Sequence, residues 1–185
     1  MEDTPPRNHV PPENLAQPMS ADRPPLPRSG DEREVLTAHL DWHRATFEAK
    51  CAGLTAEQLS LRAVPPSTLS LHGLLRHLAG VERWWFRIRF AGEDLPLLYY
   101  SDDDPDQDFG DLDGDPAQAL ARWREEVAHA RRITAASSLD ALGADADRGG
   151  PTQLRVGLVK LIAEYARHNG HADLLRERID GSTGY

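Results

Sequence analysis

Apolar positions along this chain recur in alternating steps of three and four, the period of helices with one buried stripe. The most regular run is Leu154, Leu158, Leu161, Tyr165, His168, Ala172, Leu175 and Ile179, which predicts a helix over 154–179 that stops at Gly181. A first long helix is expected from about Asp31 to Ala52, with Leu36, Leu40, His43, Phe47, Cys51 and Leu54 as its stripe. Asp31, Glu32 and Glu34 suit its positive end, and Gly53 is placed to stop it. Thr55 and Gln58 have the spacing of a capping box, so a short helix is expected over 56–60 before Pro65-Pro66 breaks the chain.

A second long helix is expected over 71–91, capped by Ser67, Thr68 or Ser70. Its inward set is Leu71, Leu74, Leu75, Leu78, Val81, Trp85 and Ile88, with Arg76, Arg83 and Arg87 marking the outer side. Asp115-Pro116 opens a third helix that runs to about Ser137. There Leu120, Trp123, Val127, Ala130 and Thr134 form the stripe, and Arg122, Arg124, Glu125, Glu126, Arg131 and Arg132 form a largely solvated charged face. No strand pattern or internal repeat interrupts this order. The prediction is an all-α, four-helix bundle over 31–185, with a long second connection that leaves room for a crossover.

Residues 1–30 carry eight of the fourteen prolines and read as a disordered Pro-rich tail ahead of the bundle. A balance of 21 basic to 30 acidic residues, net −9, argues against nucleic acid or an anionic membrane as partner. No apolar run approaches the roughly 18 residues of a membrane span, and Met1 is followed by no basic-then-apolar signal. A single cysteine, Cys51, excludes an intrachain disulfide framework. Together these point to a cytoplasmic protein acting on a small molecule. The adjoining Trp84 and Trp85 leave one ring for a neighbouring surface or a second copy, so a homodimer is an expectation.

The connection over 92–115 holds ten acids and no base. Registers starting at Asp102 or Asp111 lack the glycine and glutamate that a calcium loop needs at its sixth and twelfth places. It reads instead as a solvated loop, draped over a pocket mouth through Tyr99, Tyr100 and Phe109.

The chemistry is concentrated beside the last stripe. Glu164, His168 and His171 stand at i, i+4 and i+7 and share a face, where burial is costly without a partner. His77 lies beside the stripe of the second helix, and bundle cores build metal sites from side chains on facing helices. His77, Glu164 and His168 would give two imidazoles and a carboxylate. That set suits a catalytic zinc with an open position and equally a non-haem iron. The competing reading is a buried polar network in which Glu164 accepts from His168. His43 falls on the inward face of the first helix, as a core histidine or as pocket lining. Cys51 reads as a small core hydrophobe.

The phrases HLDWHRATFEAKCAGLT, HLAGVERWWF and EYARHNGHADLLRERIDG resemble the DinB and maleylpyruvate-isomerase-like superfamily, in particular its DUF664 branch. The resemblance covers about residues 35 to 184 and leaves out the tail. It implies a four-helix bundle with a divalent metal: zinc first, nickel or iron as alternatives. By position the family's ligands fall on His77, Glu164 and His168. A glutamate at 164 departs from the commoner three-histidine form and is similar to the mycothiol-dependent isomerase branch. His171 matches no family ligand; it is expected to orient Glu164, with an alternative ligand role open.

The resemblance further implies a low-molecular-weight thiol, mycothiol or bacillithiol, as cosubstrate of a transferase or isomerase. Under it, His43 is a candidate base or substrate-orienting group, Arg87 and Arg132 are candidate contacts for a carboxylate, and Cys51 need not take part. The rivals are a non-catalytic metal-stabilised binding or stress-response module and an iron enzyme.

Overall fold

The structure, a computed structural model, describes residues 23–110, 112–144 and 150–184. The expected tail falls mostly on 1–22, outside the described residues. Of what is described, Arg23 stands over the Trp42 ring at 4.9 Å.

The elements begin where the caps said they would. Helix α1 spans Glu32–Cys51 behind a full capping box between Asp31 and Glu34, and α2 spans Ala56–Ser60 behind another between Thr55 and Gln58. Helix α3, Leu71–Glu82, starts at Ser70, whose hydroxyl accepts from Gly73 N at 3.0 Å. A short α4, Gln107–Gly110, lies inside the acidic connection and was not expected. Asp115 caps α5, Pro116–Ala136, and α6 runs Leu154–Asp180 until Gly181 turns left-handed at φ +79°. An isolated bridge between Leu142 and Gln153 is the extended pairing found among the described residues.

Four long helices pack as a bundle, with α1 on α6 and α3 on α5 and α6. The core is built from Leu40 and Phe47 of α1, the Leu71–Leu78 leucines of α3, Trp123 and Val127 of α5, and Leu158, Leu161 and Tyr165 of α6. Along their backbones α1 and α5 scarcely touch, and long side chains bridge that seam. Arg33 donates to the Thr134 and Ser137 carbonyls, and Arg124 meets Glu48.

The second long helix departs from expectation at Arg83. From Arg83 to Phe90 it opens into π turns, and Ala91 N bonds to Phe86 O five residues back. The wider turn carries Phe86 into the core, while Val81, Trp85 and Ile88, expected inward, are only half-buried. Arg76 and Arg83, expected outside, are buried, as is Glu126 of the supposedly solvated face of α5. Arg76 lies against the acidic connection and donates to Gln107 O at 3.4 Å; for Arg83 and Glu126 the reason is pairing. Glu126 Oε1 accepts from Arg83 at 2.7 Å and from Arg87 at 3.3 Å, and Arg87 also binds Glu93 at 2.7 Å.

A second polar chain crosses the bundle centre. Trp123 Nε1 donates to Tyr165 Oη at 2.7 Å, which donates to Glu82 at 2.7 Å. Arg44 grips both oxygens of Glu82 at 2.8 and 2.7 Å. One residue from each of the four long helices is thereby joined, and each of these four side chains has a partner within the network.

Candidate metal centre

Two helices carry the site, and their stripes aim it. On α6, Leu161 and Tyr165 are held in the core, which turns Glu164 and His168 toward α3. On α3, Leu74 and Leu78 are fully buried, and His77 sits at the edge of that face. Glu164 Oε1 lies 3.1 Å from His77 Nε2 and 3.1 Å from His168 Nε2. One ligand atom from each of the three residues lies within 4.8 Å of the others. The group is half open to water: the side chains of His77, Glu164 and His168 are 19 %, 31 % and 8 % exposed.

The residue that sequence reasoning missed is Asp108. It belongs to the acidic connection, read as solvated, yet it is buried, and its Oδ2 accepts from His77 Nδ1 at 2.8 Å. The connection does drape over the site, and α3 is shaped to receive it. A Cβ at Gly80 would come to 3.0 Å of the Leu98 carbonyl oxygen, and one at Gly73 to 3.3 Å of Phe109 Cα. A side chain at either position would push the loop back by a few tenths of an ångström or more. Arg76 lies over the Tyr99 ring at 4.9 Å, Arg62 donates to Gly110 O at 2.8 Å, and Phe109 stacks on His77 with ring centres 4.7 Å apart. An aromatic residue amid ten acids was the available signal that part of this loop is anchored.

The electrostatics follow from these partners. Burial opposes a charge on His77, but the hydrogen bonds to Asp108 and Glu164 outweigh it and push its pKa up to about 9. The bond to His168, then the bond to His77, hold Glu164 well below the usual carboxylate range. In the metal-free protein this is an imidazolium between two carboxylates. A metal would replace the protons shared around Glu164.

The donor set fits a divalent ion. Asp108 accepts a hydrogen bond from His77 Nδ1–H, which leaves Nε2 as the ligand atom toward Glu164, the carboxylate–histidine arrangement common at zinc sites. His168 has a similar support. Its Nδ1 lies 3.3 Å from Nδ1 of His171, so one ring donates to the other. His171 therefore meets His168 rather than Glu164, the partner expected for it. Burial, then the neighbouring His168, lower the pKa of His171.

The remaining candidates lie outside the triad. His43 is half-buried on α1; its Nδ1 lies 3.3 Å from the Asn169 amide, the neighbour of His168. Burial, then His39, lower its pKa, which favours a neutral imidazole. Arg87 is committed to Glu93 and Glu126, and Arg132 is exposed on α5; neither is brought to the triad.

Fold and site together define a DinB-like helical bundle carrying a two-histidine, one-carboxylate cluster able to hold a metal. Its lineage is specific. The chain belongs to the mycothiol S-transferase family, whose pattern matches residues 35–181. Among solved structures it is similar to a conserved protein from Enterococcus faecalis, with a TM-score of 0.60 and 18 % identity over 83 % of this chain and 100 % of that one. That likeness speaks for the fold alone. A search of curated proteins finds no match. No helix among the described residues is long and apolar enough to cross a membrane.

Proposed function

We propose that the protein is a divalent-metal-dependent S-transferase that joins a low-molecular-weight thiol, mycothiol first, to a small electrophile in the cytoplasm. The observation that carries this is the His77–Glu164–His168 cluster with Asp108 behind it, in a chain of the mycothiol S-transferase family. An ion on these three side chains, zinc in our reading, would supply Lewis acidity that lowers the pKa of the thiol and so makes thiolate available at neutral pH.

The chain's own groups do the rest. Asp108 and His171 fix the two imidazole rings, and Phe109 covers the outer face of His77. Water reaches the cluster past Glu164, the most exposed of the three, so a bulky thiol can approach from that side. In our reading His43 is the proton acceptor or a hydrogen-bonding guide for the electrophile: it meets Asn169, the neighbour of His168, and its lowered pKa favours the neutral form. In the transfer, sulfur forms its bond to the electrophilic carbon as that carbon's bond to a leaving group breaks and its electron pair departs with that group, and the thiol proton passes to that base or to water.

Elemental analysis of protein purified without added metal tests the site. Wild type should carry one ion per chain and His77→Ala little; a metal-free wild type, or a His77→Ala that retains the ion, refutes the assignment. Thermal shifts of metal-loaded protein with mycothiol, bacillithiol and glutathione test the reaction class. Stabilisation by at least one thiol is expected. The rival is a metal-stabilised module without turnover, favoured by the fact that neither of two clefts, one at Trp85 and one at Arg33, is lined by a triad residue. It predicts stabilisation by metal and by none of the thiols.

A further inference from the structure

The seam between α1 and α5 opens into a cleft of about 270 Å³, and none of the triad residues lines it. Its walls are Arg33, Thr37, Asp41 and Arg44 from α1 and Arg131, Thr134 and Ala135 from α5, with Leu40 and Leu158 at the floor. Cavities of about 150 Å³ with apolar walls already take up a benzene-sized molecule, so this one has room for a ring and a head group.

Its charge is unusual for this chain. Three guanidinium groups line a single cleft in a protein of net −9, and Asp41 is the one carboxylate among the lining residues. Asp41 Oδ1 is shared, accepting from Arg44 at 3.0 Å and from Arg131 at 3.1 Å. Glu82, beneath, takes the other side of Arg44. Arg33 uses Nη1 and Nη2 on the carbonyls of Thr134 and Ser137, which neutralises the negative end of α5. Each guanidinium has five N–H donors, and these bonds leave every one of the three with donors to spare. Arg44 is also buried and held rigidly by Glu82, so it is already oriented without a ligand. Its own fork is filled by Glu82, so it supplies fixed positive charge, while the planar edge that Arg131 leaves open, with the spare donors of Arg33, matches a carboxylate.

We infer that the α1–α5 cleft is a binding site for a small organic acid, its carboxylate among Arg33, Arg44 and Arg131 and its apolar body over Leu40 and Leu158. The site stands independently of the metal centre.

The test uses the metal-loaded full chain with benzoate as probe, benzyl alcohol and benzylamine as controls, and leucine methyl NMR as readout. Benzoate should shift the Leu40 and Leu158 methyl signals in a saturable way, and the two controls should not. Arg131→Gln, a rim residue 55 % exposed whose loss spares the fold, should weaken benzoate by about tenfold. Ala135→Trp, which fills the cleft, should abolish the shifts while metal content stays at the wild-type level. The inference is overturned if benzoate leaves both methyl signals unmoved, if benzyl alcohol binds as well as benzoate, or if both variants bind benzoate like wild type.

Discussion

Removing the Asp108 carboxylate isolates what a buried acid in a loop does for a histidine on a helix. Asp108 accepts from His77 Nδ1 at 2.8 Å and is nearly inaccessible to solvent. Such carboxylate partners of metal-ligating histidines are worth about 10–100-fold in metal affinity, or about 1.4–2.8 kcal/mol. Asp108→Asn keeps an accepting oxygen and loses the charge, so it should fall at the lower end; Asp108→Ala should fall at the upper end. The proton modifies this. Asp108 also strengthens His77's hold on hydrogen, with a folded pKa of about 9 against an ordinary 6.5. Below about pH 9 a metal must displace that proton, so apparent affinity should rise with pH toward 9 and then level off.

Because the variants lower the proton affinity of His77 as well as its metal affinity, their deficit should be larger at pH 9 than at pH 7. Competition of zinc against a chromophoric chelator, run at both values, measures the difference. Unfolding of the metal-free variants in urea separates a tuned ligand from a damaged fold. Equal zinc affinity of Asp108→Ala and wild type at pH 9, with His77→Ala losing it, would remove Asp108 from the site.

Other parts of the molecule are open to equally direct tests. Tyr165→Phe leaves Trp123 Nε1 without its acceptor and Glu82 without one donor, so it should cost about 1–3 kcal/mol in urea unfolding; an unchanged midpoint refutes the network. Glu82→Ala strands the buried Arg44 and should cost about 3–5 kcal/mol, whereas a paired Arg44→Met, Glu82→Leu replacement should recover most of that. The Cys51 thiol, pushed up to about 12 by burial, should not react with a thiol reagent at pH 8 until the protein is unfolded, and Cys51→Ala should leave any thiol transfer intact. Gly80→Val would drive a side chain into the Leu98 carbonyl and lift the loop, so its zinc affinity should drop as Asp108→Ala does while the helical circular dichroism is kept.

What the sequence made legible, and what it hid, divides by how far a contact reaches. Caps and stripes are local, so α1, α2, α5 and α6 begin within a residue or two of their expected starts. Glu164 and His168 are legible for the same reason: four residues apart on one helix, they must share a face. His77 came from a second helix, yet the core leucines around it fix its side, and so the three-residue cluster could be assembled before its geometry was seen. Asp108 obeys no such period. It is one acid among ten in an irregular segment, and only the close approach allowed at Gly73 and Gly80 selects it.

The misplaced charges carry the more general lesson. Periodicity sends an arginine or a glutamate to the surface because an unpaired buried charge is costly. It says nothing about two that find each other. Arg44 with Glu82 and Arg83 with Glu126 are such couples, each joining different helices, 38 and 43 residues apart in the chain. Once paired they can occupy core positions that Val81 or Trp85 would otherwise fill, and within the π turns after Glu82 both Arg83 and Arg87 reach the single Glu126. A regular α-helix would already put residues four apart on one face, so the opening is not needed to align the two arginines. Its distinctive effect is on the stripe, where Phe86 takes the buried place and Trp85 moves to the margin. The buried pairs therefore come with a changed hydrophobic register in the same helix that, two turns earlier, carries His77.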